Sequence, residues 1–148
     1  MSDQNISIFT DGGARGNPGP AAFAFIVKNS AGKTVAEHSA YIGHTTNNIA
    51  EYSAVLSALN WLAETKIPLP SPPAGVNFYC DSLLVVNQLI GRYRIKNSNL
   101  REMVLKIKEA ERKIASPVTY HHISREKNYQ ADCLLNQELD SCLSLAGK

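Results

Sequence analysis

The chain has few of the residues that mark a disulfide-rich, zinc-binding or membrane protein. Three cysteines in 148 residues, Cys80, Cys133 and Cys142, form no close CxxC pair, which argues against a disulfide framework and against a structural zinc site. A single disulfide among them stays open, because spacing does not say which thiols approach each other. No apolar run approaches the ~20 residues of a membrane span, and the polar start lacks a signal-peptide pattern. We therefore expect a cytoplasmic protein without membrane association.

The length and composition are those of one ordinary globular domain. Hydrophobic residues make up 44% and charged residues 19%, so we expect a single domain over residues 1–148, a monomer with no obligatory protein partner. The net charge of +2 is weak support for nucleic-acid binding. Ten of the fifteen Lys and Arg residues nevertheless lie between Arg92 and Lys127, which fits either a nucleic-acid surface or a solvated helix surface.

The hydrophobic pattern predicts three strands before the first helix. The runs are Ile6–Thr10, Ala21–Asn29 and Thr34–Ile42, separated by a Gly- and Pro-rich loop over Gly12–Pro20 and a turn over Ser30–Lys33. Asn47 or a neighbour should cap a helix whose apolar residues recur at helical spacing: Ile49, Tyr52, Leu56, Leu59 and Leu62. The connector Pro68–Gly75 should end that helix.

The second half of the chain alternates strands with helices. We predict strands over Val76–Cys80 and Pro117–Ile123, and helices over Ser82–Ile90, Leu100–Ala115 and from Gln130 onward. Strands separated by helices should be parallel. The element order βββαβααβα therefore predicts an α/β fold with a five-stranded mixed sheet, three antiparallel strands plus two parallel ones, flanked by helices.

Four acidic residues stand where strands end or helices begin. Asp11 follows the first strand, Asp81 the fourth, Glu51 lies near the start of the first helix and Asp132 near the start of the last. The first and fourth strands should be neighbours, so these carboxylates can converge and would repel one another without a cation. Magnesium ions prefer such oxygen ligands and suit phosphodiester chemistry. Taken one at a time, each residue could equally be a helix cap or a partner of a helix dipole.

Four segments together resemble the ribonuclease H type 1 family, across about Ile6 to Asp140. They are FTDGGARGNPGPAAFA, TTNNIAEYSAVLSAL, FYCDSLLVVNQL and HISREKNYQADCLLN. The last is more similar to the archaeal-like subgroup, which lacks the basic protrusion of the longer bacterial form. The resemblance implies a ribonuclease H-like fold and an endonuclease that hydrolyses the RNA strand of an RNA/DNA hybrid by two-metal-ion catalysis, leaving 5′-phosphate and 3′-hydroxyl ends.

The resemblance also implies roles for individual residues. Asp11 would bridge two Mg²⁺ ions, for which Mn²⁺ could substitute; Asp132 would bind the ion that activates water, and Glu51 and Asp81 would lie beside the other ion. Thr46 and Asn47 would lie near a DNA phosphate, although Asn47 and Asn48 could also simply cap the helix. The remaining substrate-binding candidates are Gly12 and Gly13, whose backbone could approach RNA 2′-hydroxyls, and the polar or basic residues Asn17, Asn48, Arg92, Arg94 and Lys96.

This sequence departs from the bacterial form in ways that change the expected roles. No histidine stands in the loop SREKN after the last strand, so Arg125 is the candidate for a catalytic, phosphate-side role there; His121 and His122 should lie within the strand. Three alternatives stay open: a non-enzymatic hybrid- or RNA-binding module, an integrase-like or junction-cutting enzyme of the same superfamily, and an unrelated nucleotide- or metal-binding protein.

Overall fold

A five-stranded mixed sheet organises the protein, as predicted. The structure is a computed structural model that describes residues 5–64 and 74–146. Its strands are β1 (Ile6–Ala14), β2 (Gly19–Lys28), β3 (Thr34–Thr45), β4 (Val76–Cys80) and β5 (Val118–His122). They are arranged in the order β3-β2-β1-β4-β5, with β1, β2 and β3 antiparallel and β1, β4 and β5 parallel.

Strand β1 is longer than the sequence predicted. We expected β1 to stop before Asp11 and a loop to occupy Gly12–Pro20. Instead, β1 continues to Ala14 and β2 begins at Gly19. The antiparallel ladder continues through Asp11↔Ala24 to Ala14↔Ala21, whereas the parallel pairing with β4 ends at Thr10↔Cys80. Glycines can extend a strand when the neighbouring strand supplies the ladder, so local composition predicted the loop wrongly here.

Helices cover both faces of the sheet. They are α1 (Asn47–Glu64), α2 (Leu83–Leu89), α3 (Ser98–Arg112) and α4 (Tyr129–Ala146), with a short 3₁₀ helix at Arg125–Asn128 before α4. The main core joins α1, α2 and α3 to one sheet face through residues such as Ile6, Ile8, Tyr52 and Phe78. On the other face, Leu135 and Leu139 of α4 pack on Ala22 and Ala24 of β2.

Most of the predicted boundaries hold to within a few residues. Helix α3 begins and ends two or three residues earlier than expected, and both His121 and His122 lie in β5 as predicted. Most of the predicted connector Pro68–Gly75 lies outside the described residues. The three cysteines are free thiols, with Cys80 buried. No helix within residues 5–64 and 74–146 has both the length and the apolar character to cross a membrane.

Candidate metal centre and substrate surface

Three of the four predicted carboxylates converge at the point where β1 and β4 part. Asp11, Glu51 and Asp81 each offer an oxygen within 4.8 Å of those of the other two, and we call this set the acidic cluster. Asp11 is carried by β1, and Asp81 follows the last residue of the neighbouring parallel strand β4. Glu51 projects from the second turn of α1. Three separate rigid elements therefore hold the three side chains.

A glycine brings helix α1 close enough to β1 for this convergence. A Cβ on Gly12 would lie 2.3 Å from the carbonyl carbon of Ala50 and 2.5 Å from the nitrogen of Glu51. Only a residue without a side chain fits there, because real Cβ atoms do not approach other atoms so closely. The sequence predicted that Gly12 lets its backbone reach RNA; the geometry gives it a further role, the approach of Glu51 to Asp11.

Burial and mutual repulsion disfavour the charged forms of the carboxyl groups in the acidic cluster. Burial, followed by the charges of Asp81, Glu51 and Asp132, raises the pKa of Asp11 to about 8, opposed by the backbone N–H of Gly12, which donates to Oδ1 at 3.0 Å. Burial and the charge of Asp81 raise the pKa of Glu51 to about 7. A cation held between these carboxylates would offset both effects.

Neighbours of Glu51 hold its carboxylate in place. The Ser82 side chain hydrogen-bonds to Glu51, and the Cys80 thiol donates to its Oε2 at 3.9 Å. Arg125, an exposed cation in the 3₁₀ helix, lowers the pKa of Glu51 by its charge. Burial and the Glu51 charge raise the pKa of the Cys80 thiol, which stays neutral.

Asp132 stands beside the acidic cluster rather than in it. It lies in the first turn of α4, and its charge raises the pKa of Asp11. Its Oδ1 accepts a hydrogen bond from Nδ2 of Asn136 at 3.3 Å, one helical turn further on. The four predicted carboxylates are therefore brought together as a close set of three and a fourth nearby.

A polar groove beside the N-termini of α1 and α3 forms the second part of the site. The groove has a volume of about 300 Å³, and we call it the polar groove. It is lined by Asn17, Thr45, Thr46, Asn48, Ile49, Asn97, Asn99 and Leu100. Helix α1 begins at Asn47 and α3 at Ser98, so the positive ends of both helix dipoles face this region. A neutral groove with this potential suits a phosphate group.

Some of the predicted polar residues make hydrogen bonds that stabilise the fold, and others line the polar groove. Thr46, not Asn47, caps α1, since its Oγ1 accepts from the Ile49 N–H at 3.3 Å. Asn47 instead joins β1 to α1: its Oδ1 accepts from the Ala14 N–H at 2.7 Å, and its own N–H donates to Asn17 Oδ1 at 3.0 Å. Arg92, Arg94 and Lys96 are exposed between α2 and α3.

Sequence reasoning missed the asparagines that support or line the site. Asn128 is 1% exposed, and its Nδ2 donates to the Thr10 carbonyl at 2.8 Å and to Asp81 Oδ2 at 3.5 Å. Asn97 and Asn99 line the polar groove. An asparagine in a polar stretch reads as a turn or cap residue, so the local sequence held no signal beyond their residue type.

Comparisons with known proteins agree with this fold. A sequence profile described as "Reverse transcriptase-like" matches residues 9–138. The chain is 33% identical to ribonuclease HI of Halobacterium salinarum over 135 residues, which are 91% of this chain and 64% of that protein. A bifunctional protein of Mycobacterium tuberculosis is 33% identical over 142 residues, 95% of this chain but 37% of its own length. The chain thus spans between about a third and two thirds of these curated relatives.

A solved structure shares the fold over nearly its whole length. The RNase H1 named LC11, in complex with an RNA/DNA hybrid, superposes with a TM-score of 0.86 at 42% identity, covering 93% of this chain and 99% of that one. The sheet order and helices define a ribonuclease H-like fold. More narrowly, the chain belongs to the ribonuclease H family, and its matched relatives include type 1 enzymes.

Proposed function

We propose that this chain is an endonuclease that hydrolyses the RNA strand of RNA/DNA hybrids with the help of divalent metal ions. The observation that carries the proposal is the acidic cluster, in which Asp11, Glu51 and Asp81 offer oxygens within 4.8 Å of one another. The hybrid is the proposed substrate because a relative at 42% identity was solved with one bound. Activity, substrate and partner remain proposals, since the curated relatives extend beyond this chain.

The residues of the site fit a magnesium ion. Carboxylate oxygens are the ligands that Mg²⁺ and Mn²⁺ prefer, and a cation would relieve the repulsion that raises the pKa values of Asp11 and Glu51. We propose two Mg²⁺ ions, held by Asp11, Glu51, Asp81 and Asp132. When bound, the ions would stabilise developing charge on the phosphodiester and make water a stronger nucleophile, leaving 5′-phosphate and 3′-hydroxyl ends.

The chain's own residues would orient the substrate around these carboxylates. Asn128 holds Asp81, and Ser82 and Cys80 hold Glu51, so two of the ligands are fixed before a substrate arrives. The polar groove would bind a phosphate of the DNA strand, with Asn17, Thr46 and Asn48 among the contacts. We further propose that Gly12, Gly13 and Asn47 lie along the path of the nucleic-acid backbones, and that Arg92, Arg94 and Lys96 contact DNA phosphates.

Arg125 would act on the phosphate side of the reaction. It is exposed, yet close enough for its charge to lower the pKa of Glu51. A guanidinium keeps its charge at any working pH and pairs well with phosphate oxygens. We propose that it takes the position that a loop histidine has in the bacterial form. A monomeric state, a single domain over residues 1–148 and a cytoplasmic location also remain proposals.

A cleavage assay with matched variants tests the function. The purified chain should cut the labelled RNA strand of a hybrid in Mg²⁺ and leave duplex DNA intact. Asp11→Asn and Asp81→Asn should each slow cleavage by about a thousandfold or more while the protein stays folded. Glu37→Gln, an exposed carboxylate on β3 two strands away from Asp11, is the control and should keep the wild-type rate.

Three outcomes would count against the proposal. If the wild-type chain binds the hybrid but does not cut it in Mg²⁺ or Mn²⁺, the chain is a binding module. If Asp11→Asn keeps the wild-type rate, the acidic cluster is not the catalytic centre. Cleavage of a branched DNA junction in preference to the hybrid would favour the junction-cutting alternative.

A further inference from the structure

The fourth carboxylate is held by a side chain that the proposed mechanism leaves unused. Asn136 lies one turn after Asp132 on α4, and its Nδ2 donates both to the Asp132 carbonyl at 2.9 Å and to Asp132 Oδ1 at 3.3 Å. These bonds occupy one carboxylate oxygen and restrict rotation of the side chain. Asp132 is the carboxylate that stands apart from the acidic cluster, so its direction depends on such a neighbour.

Arg15 reinforces the orientation in which the NH₂ end of the Asn136 amide faces Asp132. Its Nη2 donates to Asn136 Oδ1 at 3.4 Å and to the Asn136 carbonyl at 3.5 Å, while its Nη1 lies 2.6 Å from Asp140 Oδ1. A guanidinium has only donors, so the amide oxygen must turn toward Arg15 and the amide NH₂ toward Asp132. Without Arg15 the amide would lose one of the contacts that fix this orientation, and its hold on the carboxylate would weaken.

Arg15 belongs to the tight connection between β1 and β2. The Arg15 N–H donates to the Pro20 carbonyl at 2.9 Å, and a Cβ on Gly19 would lie 2.1 Å from the Arg15 carbonyl oxygen. The same connection carries Asn17, which hydrogen-bonds to the start of α1 and lines the polar groove. The position of the guanidinium therefore follows the backbone of a segment on the substrate side of the site.

We propose that Asn136 is a positioning residue for Asp132 and that Arg15, by orienting Asn136, links this carboxylate to the β1–β2 connection. The inference rests on the proposed function, because it assigns Asp132 to the metal centre. Hydrogen bonds to a metal ligand fix its direction, and their loss typically weakens metal binding. Asn136 itself touches neither substrate nor reacting atoms in this assignment.

The test measures the magnesium requirement separately from hybrid binding. In hybrid cleavage, Asn136→Ala should raise the half-saturating Mg²⁺ concentration roughly three- to tenfold, with KM for the hybrid within about twofold of wild type. Without hybrid, the same variant should show a smaller Mg²⁺-induced rise in Tm. Arg15→Leu should act in the same direction, and the double variant should be no worse than Asn136→Ala, because both changes break one chain of bonds.

Ser39→Ala is the matched control. Ser39 Oγ donates to Glu138 Oε1 at 2.8 Å, so this change removes a bond between the sheet and α4 that has no connection to Asp132. It should leave the Mg²⁺ requirement unchanged. The inference is overturned if Asn136→Ala keeps the wild-type requirement, if the effects of Arg15→Leu and Asn136→Ala add, or if Ser39→Ala shifts the requirement equally. If the wild-type chain fails to cut hybrids, the proposed function fails, and the Mg²⁺-induced change in Tm still reports on Asn136.

Discussion

The acidic cluster and the polar groove differ in electrostatic character and are built from different residue types. The cluster concentrates like charges in a largely buried position, so the pKa of Asp11 rises to about 8 and that of Glu51 to about 7. The groove is lined by amides, hydroxyls and apolar groups, and its positive potential comes from helix N-termini rather than from side-chain charge. One region needs a cation, and the other suits an anion. We therefore expect mutations in the acidic cluster to change the rate of cleavage, and mutations in the polar groove to change the affinity for the substrate.

The largest effect should come from filling the space between β1 and α1. Gly12→Ala would put a methyl group against the backbone of Ala50, so α1 must shift and Glu51 with it. We expect a loss of about 3 kcal/mol or more in the free energy of unfolding, measured by denaturant titration. Gly13→Ala is the stability control, since the nearest atom to its Cβ lies 3.6 Å away. Equal stabilities for the two variants would contradict the steric argument.

The acidic cluster should make the metal-free protein less stable as pH rises. The folded-state pKa values of Asp11 and Glu51 lie above their ordinary values near 4, so the folded state retains protons that the unfolded state has lost. Stability without metal should therefore fall between about pH 4 and pH 8, on the order of 2 kcal/mol or about 4–8 °C in Tm. Mg²⁺ should raise Tm more at pH 8 than at pH 6, because metal binding needs the deprotonated carboxylates.

Asp11→Asn supplies the comparison for that pH profile. It removes the buried charge, so it should raise the metal-free Tm at pH 8 and flatten its dependence on pH. Thermal unfolding in a chelator across pH 4.5 to 8.5 measures both. A wild-type Tm that is level or rises over this range would show that folding does not raise the pKa values of these carboxylates.

The polar groove should affect substrate affinity and leave the chemistry intact. Asn99→Ala, at the start of α3, should raise KM for the hybrid by about three- to tenfold with kcat nearly unchanged. Because Asn99 is neutral, the dependence of affinity on salt should stay the same, whereas Arg94→Ala should reduce the salt slope by about one phosphate contact. Steady-state kinetics at several salt concentrations separate the two. A fall in kcat alone for Asn99→Ala would place this residue in the chemical step.

Arg125 should have an effect no larger than that of Asn99, because it lies at the rim of the acidic cluster. Arg125→Ala should slow turnover by about three- to tenfold and move the acidic limb of the pH–rate profile upward, since the Arg125 charge lowers the pKa of Glu51. Lys127→Ala, in the same 3₁₀ helix, is the matched control. An unchanged rate and profile for Arg125→Ala would remove this residue from the mechanism.

Local patterns predicted the elements better than their faces. Of the five apolar residues that indicated α1, Tyr52 and Leu59 are fully buried, whereas Ile49, Leu56 and Leu62 pack against the margin of the core. Ala50, Ala54 and Ala58, which the spacing did not single out, complete the buried face. A small residue at Ala50 lets α1 approach the Gly12 backbone closely. Periodicity finds a helix, but it does not report how near the neighbouring strand will be.

The sequence by itself determined the element order, the parallel pairing of β1 with β4 and hence the meeting of Asp11 with Asp81. Strand ends and helix starts are local features, and parallel neighbours bring their carboxyl ends to the same edge of a sheet. Only the tertiary structure decided the extension of β1 through its glycines, the meeting of α1 and α3 at the polar groove, and the contacts of Asn128 and Asn136 with Asp81 and Asp132. These features depend on pairing and packing across distant parts of the chain, which no local pattern records.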